Sequence, residues 1–198
     1  MDTNQKPFHV VHRRVAKAGL LAAVVAASSA MTSGSALAAI VCNAGTVPIA
    51  VPATTAGVYL NLVTGASGTA AATPGWDVNP WGATNLGFFA TAAAGNRYVG
   101  TGTVVSVLAA GTMIDASSPL TNAAANATGG GFLAGVTGGY LGVRFLDQAS
   151  AVRYGWVSLN TTGPNGVPAT ITGYCYQDDG TGITAGTTPV SLQSFGVD

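Results

Sequence analysis

Residues 140–160 read YLGVRFLDQASAVRYGWVSLN, a stretch that predicts two β-strands joined by a short polar loop. Successive side chains of a strand point to opposite faces, so Tyr154 and Trp156 share one face while Val157 and Leu159 share the other. The loop DQASA between the two strands has the length and polarity of a hairpin connection. The stretch therefore predicts an antiparallel hairpin.

A third strand follows this hairpin. The connection Thr162–Pro168 contains Pro-Asn-Gly, whose residue types suit a tight turn, and Ala169–Gln177 is again rich in β-prone residues. Residues 140–177 are therefore expected to form a three-stranded antiparallel meander.

The remainder of the chain lacks helical periodicity and is divided into short β-prone runs bounded by Gly, Pro, Asn and Ser. Candidate strands are Val58–Thr64, Asn85–Thr91 and Thr103–Ala109. The first is almost continuously apolar, which predicts a central strand covered on both faces. The low-complexity run Thr121–Gly131 predicts a loop. We therefore expect an all-β fold, a single antiparallel β-sandwich of jelly-roll type, with a β-barrel as the alternative.

The N-terminal region has the organisation of an export signal. Residues 1–17 are polar and basic, an apolar run follows, and Ala36-Leu37-Ala38 forms an A-x-A cleavage site. The pair Arg13-Arg14 leaves two routes open, general secretion or the twin-arginine pathway. We expect residues 1–38 to be a signal peptide and residues 39–198 to form one domain. We also expect the protein to be bacterial and to be secreted, either to the extracellular space or to the periplasm.

Composition narrows the function of residues 39–198, which contain no histidine, lysine or glutamate and carry three arginines against six aspartates. Ser-His-Asp and Cys-His systems are excluded, and general acid–base chemistry lacks its usual groups. No basic cluster exists to bind nucleic acid or anionic membrane. We expect a protein that is not an enzyme, requires no cofactor, binds no nucleic acid and does not insert into a membrane.

Two cysteines, Cys42 and Cys175, lie beyond the predicted cleavage site, where thiols are oxidised. We expect one disulfide that ties the mature N-terminus to a late strand, and unpaired buried thiols are the alternative. Alternation along the strand places Cys175 on the face opposite Tyr174 and Tyr176.

The best candidate binding site is the aromatic segment GWDVNPWG at 75–82, where Trp76 and Trp81 flank Asp77 and Asn79. Flat apolar faces beside hydrogen-bonding groups are typical of sugar-binding surfaces, whereas burial of the tryptophans in the core is the competing interpretation.

Two further groups of charged residues are candidates. The adjacent carboxyls Asp178 and Asp179, on a glycine-rich loop, could provide oxygen ligands for Ca²⁺, although a solvated turn uses the same residues. Arg144 and Arg153 flank Asp147 and predict a cross-strand ion pair, with an anion site as the alternative.

The C-terminal meander resembles the ending of a group of uncharacterised secreted bacterial proteins. The matching segments are Tyr154-Gly155-Trp156, Pro168-Ala169-Thr170-Ile171 and Tyr174-Cys175-Tyr176, together with parts of 52–82. Many members of the group carry a C-terminal sorting tail, which has no counterpart in the sequence up to Asp198. The resemblance implies export and no particular activity.

Three functions are consistent with the sequence. The first is an exported non-catalytic structural or surface-interaction protein that associates with itself or with another surface. The second is a carbohydrate-binding module that uses exposed Trp76 and Trp81 to bind polysaccharide. The third is a hydrolase that uses aspartates alone.

Overall fold

The computed structural model describes residues 38–91, 95–122 and 127–189, and residues 1–37 of the predicted signal peptide lie outside these ranges. Within the described ranges, fifteen strands and one 3-10 helix, Gly130–Ala134, make up the regular structure. In chain order the strands are β1 (Ile40–Cys42), β2 (Ile49–Val51), β3 (Tyr59–Leu60), β4 (Ser67–Gly68), β5 (Asn79–Trp81), β6 (Gly87–Phe89), β7 (Arg97–Tyr98), β8 (Gly100–Thr101), β9 (Val104–Val105), β10 (Met113–Ile114), β11 (Ala127–Thr128), β12 (Gly139–Leu146), β13 (Val152–Thr161), β14 (Ala169–Gln177) and β15 (Ile183–Thr184).

The predicted meander is confirmed as the centre of the larger sheet. Strands β12, β13 and β14 pair antiparallel within the order β1-β14-β13-β12-β7, and β2 also pairs with β14. The bounds of β14 match those predicted, and the hairpin predicted over residues 140–160 extends by one residue at each end, to Gly139 and Thr161. Alternating apolar residues, which bury side chains on both faces, explain why these three strands are the longest.

The two faces of this sheet support two separate hydrophobic clusters. Val157 and Leu159 belong to the main core, which fills the space toward a second sheet. Tyr154 and Trp156 project to the opposite face, where Ile114 of the antiparallel β10–β15 pair belongs to the same cluster. The alternation predicted for β13 is therefore confirmed, and it gives each face a buried layer.

The second sheet has the order β5-β6-β11-β9-β8, and β3 and β4 form a further two-stranded ribbon. Phe88 of β6 and Phe132 of the 3-10 helix are fully buried in the main core, with ring centroids 5.7 Å apart. Both larger sheets are open rather than closed, which agrees with the sandwich prediction and not with the barrel alternative. One pair of strands in this sheet, β9 with β11, is parallel.

Two predictions about local structure were wrong in part. In the run Val58–Thr64 the buried residues are Val58, Leu60, Asn61 and Leu62, and only Tyr59–Leu60 is a strand. The side-chain oxygen of Asn61 accepts the N–H groups of Val63 and Thr64, both at 2.9 Å, which closes a turn and ends the strand. Within the predicted loop Thr121–Gly131, the described residues include β11 and the start of the 3-10 helix.

The predicted disulfide is confirmed. Cys42 on β1 lies directly opposite Cys175 on β14, with Cα atoms 4.1 Å apart. Tyr174 and Tyr176 point into the main core while Cys175 lies in the other cluster, as alternation requires. Within the described ranges no helix has the length and apolar character needed to cross a membrane.

Candidate functional site

A cleft of about 540 Å³ lies where the segment Ala71–Asp77 meets the hairpin loop after β12. Trp76 and Asp77 line it from one side, and Leu146–Gln148 line it from the other. Its volume falls in the range of small-ligand sites. Its walls combine apolar side chains with two carboxyls and several amides, which is the composition of a site for a polar ligand with an apolar face.

Asp77 is the most unusual group in the cleft, because its side chain is only 4% exposed. Its Oδ2 accepts the N–H of Leu62 at 2.8 Å, and this is the only hydrogen bond to the carboxyl among the described residues. Among the described residues, the fully buried side-chain polar atoms that lack a hydrogen-bond partner are the indole nitrogens of Trp81 and Trp156. Oδ1 of Asp77 accepts no hydrogen bond and is not one of these atoms, so it keeps some contact with the solvent of the cleft.

Burial raises the pKa of the Asp77 carboxyl to about 7. The hydrogen bond from Leu62 opposes this rise, and the negative charge of Asp147 adds to it. Asp77 can therefore change its protonation state near neutrality, the property that the sequence analysis expected to be missing along with histidine. The difference arises from tertiary burial, which composition cannot indicate.

Trp76 is half-buried, between the exposure that the carbohydrate-binding interpretation needs and complete burial in the core. Its ring packs edge-on to Tyr59 with centroids 5.0 Å apart, and it lies 5.7 Å from Phe89 at an interplanar angle of 31°. These two contacts fix the indole beside Asp77 while leaving part of it on the cleft wall. An aromatic ring held in this way can pack against the apolar face of a ligand without losing much conformational freedom.

Asn79 and Trp81, the other two residues of the predicted site, do not line the cleft. Asn79 is buried, and its Nδ2 donates to the carbonyl oxygens of Ala56 and Val58 at 3.0 and 2.9 Å. Trp81 is half-buried and lies across from Gly87 in the β5–β6 ladder. Both residues therefore support the segment structurally.

The structure adds residues to the site that sequence analysis missed. Asn96 donates from Nδ2 to the carbonyl of Asp77 at 3.3 Å and accepts the N–H of Leu146 at 3.0 Å, so it links both walls of the cleft. Asn61 holds the Ala71–Asp77 segment through the carbonyls of Pro74 and Gly75, at 3.1 and 2.8 Å. Both are single asparagines in loops, and no local pattern distinguishes them.

The ion pair predicted for Asp147 is present with Arg153 at 2.8 Å. Burial works against ionisation of Asp147, but the N–H groups of Ala151 and Ala149 and the Arg153 guanidinium hold the pKa below its ordinary value. Arg144 does not take part and donates instead to the carbonyl of Gly95 at 2.5 Å. The Asp147 side chain is thus an ionised carboxylate on the cleft wall. Its Oδ1 already accepts two backbone N–H groups, and its Oδ2 pairs with Arg153.

The calcium hypothesis for Asp178 and Asp179 gains no support. Asp178 accepts the N–H of Ala39 at 2.7 Å, which ties the chain before β1 to the end of β14. Asp179 accepts both the hydroxyl and the N–H of Thr181, and these hydrogen bonds lower its pKa. The described part of the chain contains no group of three or more His, Cys, Asp or Glu side chains that could hold a metal ion.

No protein-family model, curated protein or solved structure matches this chain. The fold and the cleft therefore define the class, a disulfide-containing all-β sandwich with an aromatic–carboxyl cleft beside its main sheet. Function has to be argued from the cleft itself.

Proposed function

We propose that the protein is an exported, non-catalytic surface-interaction protein that binds carbohydrate in the cleft formed by Trp76 and Asp77. One observation carries this proposal: the packed indole of Trp76 lies beside the Asp77 carboxyl, whose Oδ1 accepts no hydrogen bond from the described residues. Both line a cleft whose volume suits a small ligand. Sugars present apolar ring faces together with hydroxyl groups, and such a wall can contact both.

Export is supported by three independent features. The Cys42–Cys175 disulfide fits an oxidising compartment, outside the cell or in the periplasm. The charged, apolar and A-x-A regions of residues 1–38 are those of a signal peptide. The resemblance of the C-terminal meander to secreted bacterial proteins points the same way.

Binding is tested by titrating the purified protein with soluble polysaccharides and short oligosaccharides, using calorimetry and tryptophan fluorescence. We expect saturable binding that Trp76→Ala weakens by up to about tenfold, because a well-packed aromatic contact contributes about 0.5–1.5 kcal/mol. Trp81→Phe is the matched control, since Trp81 does not line the cleft. Equal loss in both variants, or no binding of any saccharide, would contradict the proposal.

Self-association is the other form of surface interaction that the sequence suggested. Among the described residues, the exposed large apolar side chains are Val104 and Met113, which lie on strands of different sheets. We therefore propose a soluble ligand rather than a second copy. Light scattering over a range of concentrations separates the two, since a rise in mass would favour assembly.

Hydrolysis by aspartates is the second candidate function, and one observation favours it. A carboxyl with a pKa of about 7 and an ionised carboxylate line the same cleft, as in acid and base pairs of glycosidases. Asp147 is poorly suited to be the partner, because Oδ1 accepts two N–H groups and Oδ2 pairs with Arg153. Reducing-sugar release that Asp77→Asn abolishes would establish hydrolysis instead of binding.

A further inference from the structure

Asp77 is a buried carboxyl for which the described part of the chain provides no opposite charge. Its side chain receives one hydrogen bond, from the N–H of Leu62. A buried carboxylate needs a cation or several hydrogen bonds to offset the loss of hydration. The nearby carboxylate of Asp147 adds to the cost of ionising it. The wall of the cleft therefore carries an excess of negative charge when Asp77 is ionised.

The cations of the chain cannot neutralise this charge from their present positions. Residues 38–189 contain no lysine or histidine. Arg97 and Arg144 donate to backbone carbonyls at 2.7 and 2.5 Å, and Arg153 pairs with Asp147 at 2.8 Å. A positive charge beside Asp77 would have to come from a ligand.

The remaining titratable groups that interact with Asp77 are uncharged phenols. Burial raises the pKa of Tyr98 and of Tyr176, and the negative charge of Asp77 contributes to both rises. Tyr98 also donates its hydroxyl hydrogen to the carbonyl of Phe89 at 2.5 Å. Both phenols stay neutral around pH 7, so Asp77 and the ion-paired Asp147 determine the charge of the cleft.

We propose that the cleft selects ligands that carry a protonated amine, with the ammonium group beside Oδ1 of Asp77 and the adjoining apolar face against Trp76. An aromatic face attracts a cation, and a carboxylate forms a charge-assisted hydrogen bond with it. Amino sugars combine a ring with an amine, so glucosamine oligomers are the ligand class that fits both groups. This inference rests on the proposed carbohydrate-binding function and names the sugar class.

The test compares glucosamine oligomers with N-acetylglucosamine oligomers of the same length, which lack the charge. We expect the amine form to bind tighter on the order of tenfold, the gain typical of a charge-assisted hydrogen bond. Calorimetry at about pH 6 in two buffers of different ionisation enthalpy should show release of about one proton per ligand, as Asp77 ionises on binding. Asp77→Asn should remove both the preference and the proton release.

Asp115→Asn is the matched control, because it removes the same charge from a turn after β10 that does not line the cleft. If the amine preference falls equally in both variants, the attraction is non-specific charge and the inference is overturned. If both oligomers bind equally well to the unaltered protein, the inference fails while carbohydrate binding stands. If neither oligomer and no neutral polysaccharide binds, the proposed function fails and the inference with it.

Discussion

Replacing Asp77 with asparagine should change how stability depends on pH. In the folded protein the pKa of Asp77 is about 7, raised from an ordinary value of 3.8. Between these two values the folded state holds a proton that the unfolded state has released, so stability falls as the pH rises. The difference corresponds to about 4 kcal/mol, which is fully present below the unfolded pKa and lost as the pH rises through about 7.

Asparagine resembles the protonated form of Asp77 at every pH, since its amide can still accept the N–H of Leu62 and cannot ionise. Relative to the unaltered protein, Asp77→Asn should therefore gain about 4 kcal/mol in the free energy of unfolding between about pH 4 and pH 8. Urea unfolding at several pH values measures this difference, and subtraction removes the contribution of the other aspartates. A difference that stays constant over the range would refute the assignment of Asp77 as a desolvated carboxyl.

Asp115 provides a control of opposite sign. The hydroxyl and N–H groups of Ser117 hold the pKa of its carboxyl below the ordinary value. Its contribution is therefore present above the unfolded pKa and is lost as the pH falls. Asp115→Asn should be less stable than the unaltered protein near neutrality, and the difference should shrink toward acid pH. The two variants together separate a local effect at Asp77 from a general effect of removing one charge.

Three further changes probe the fold, each followed by urea unfolding. Gly142→Ala should cost about 1–3 kcal/mol, because its Cβ would lie 2.5 Å from a methyl carbon of Val99; an unchanged midpoint would contradict this. Phe132→Ala should cost about 3–5 kcal/mol, since the ring is fully buried; a cost below about 1 kcal/mol would show that the core refills the space. Reducing Cys42–Cys175, which are 133 residues apart, should cost about 5 kcal/mol in the chain-entropy model, and equal stability with and without reductant would contradict it.

The main sheet could be predicted from sequence because its strands are long and its side chains alternate. Eight to ten residues per strand give a clear period of two. The ion pair between Asp147 and Arg153 could be predicted too, because the hairpin places the loop residue beside the second strand. The second sheet could not be predicted with the same accuracy. Its strands are two or three residues long, within segments rich in Gly, Ala and Thr, and their pairing depends on distant partners.

The site could be predicted only in part, because the segment from Trp76 to Trp81 divides into two functions. Trp76 and Asp77 precede β5 and line the cleft, whereas Asn79 and Trp81 lie within β5 and point to the same face of it. The side-chain amide of Asn79 donates to the carbonyl oxygens of Ala56 and Val58, just before β3. The sequence shows four residues suited to sugar binding, but Asn79 and Trp81 are part of β5 and hold the segment in place.

Tertiary packing explains how a chain with few charged residues forms a polar site. Asp77 gains its raised pKa from burial, against the hydrogen bond from Leu62, and the charge of Asp147, on a hairpin loop far along the sequence, adds to the rise. Asn96 then joins the two walls through the carbonyl of Asp77 and the N–H of Leu146. A group that titrates near neutrality therefore arises from packing rather than from residue type. For this reason the absence of histidine limits the chemistry of the chain less than its composition indicates.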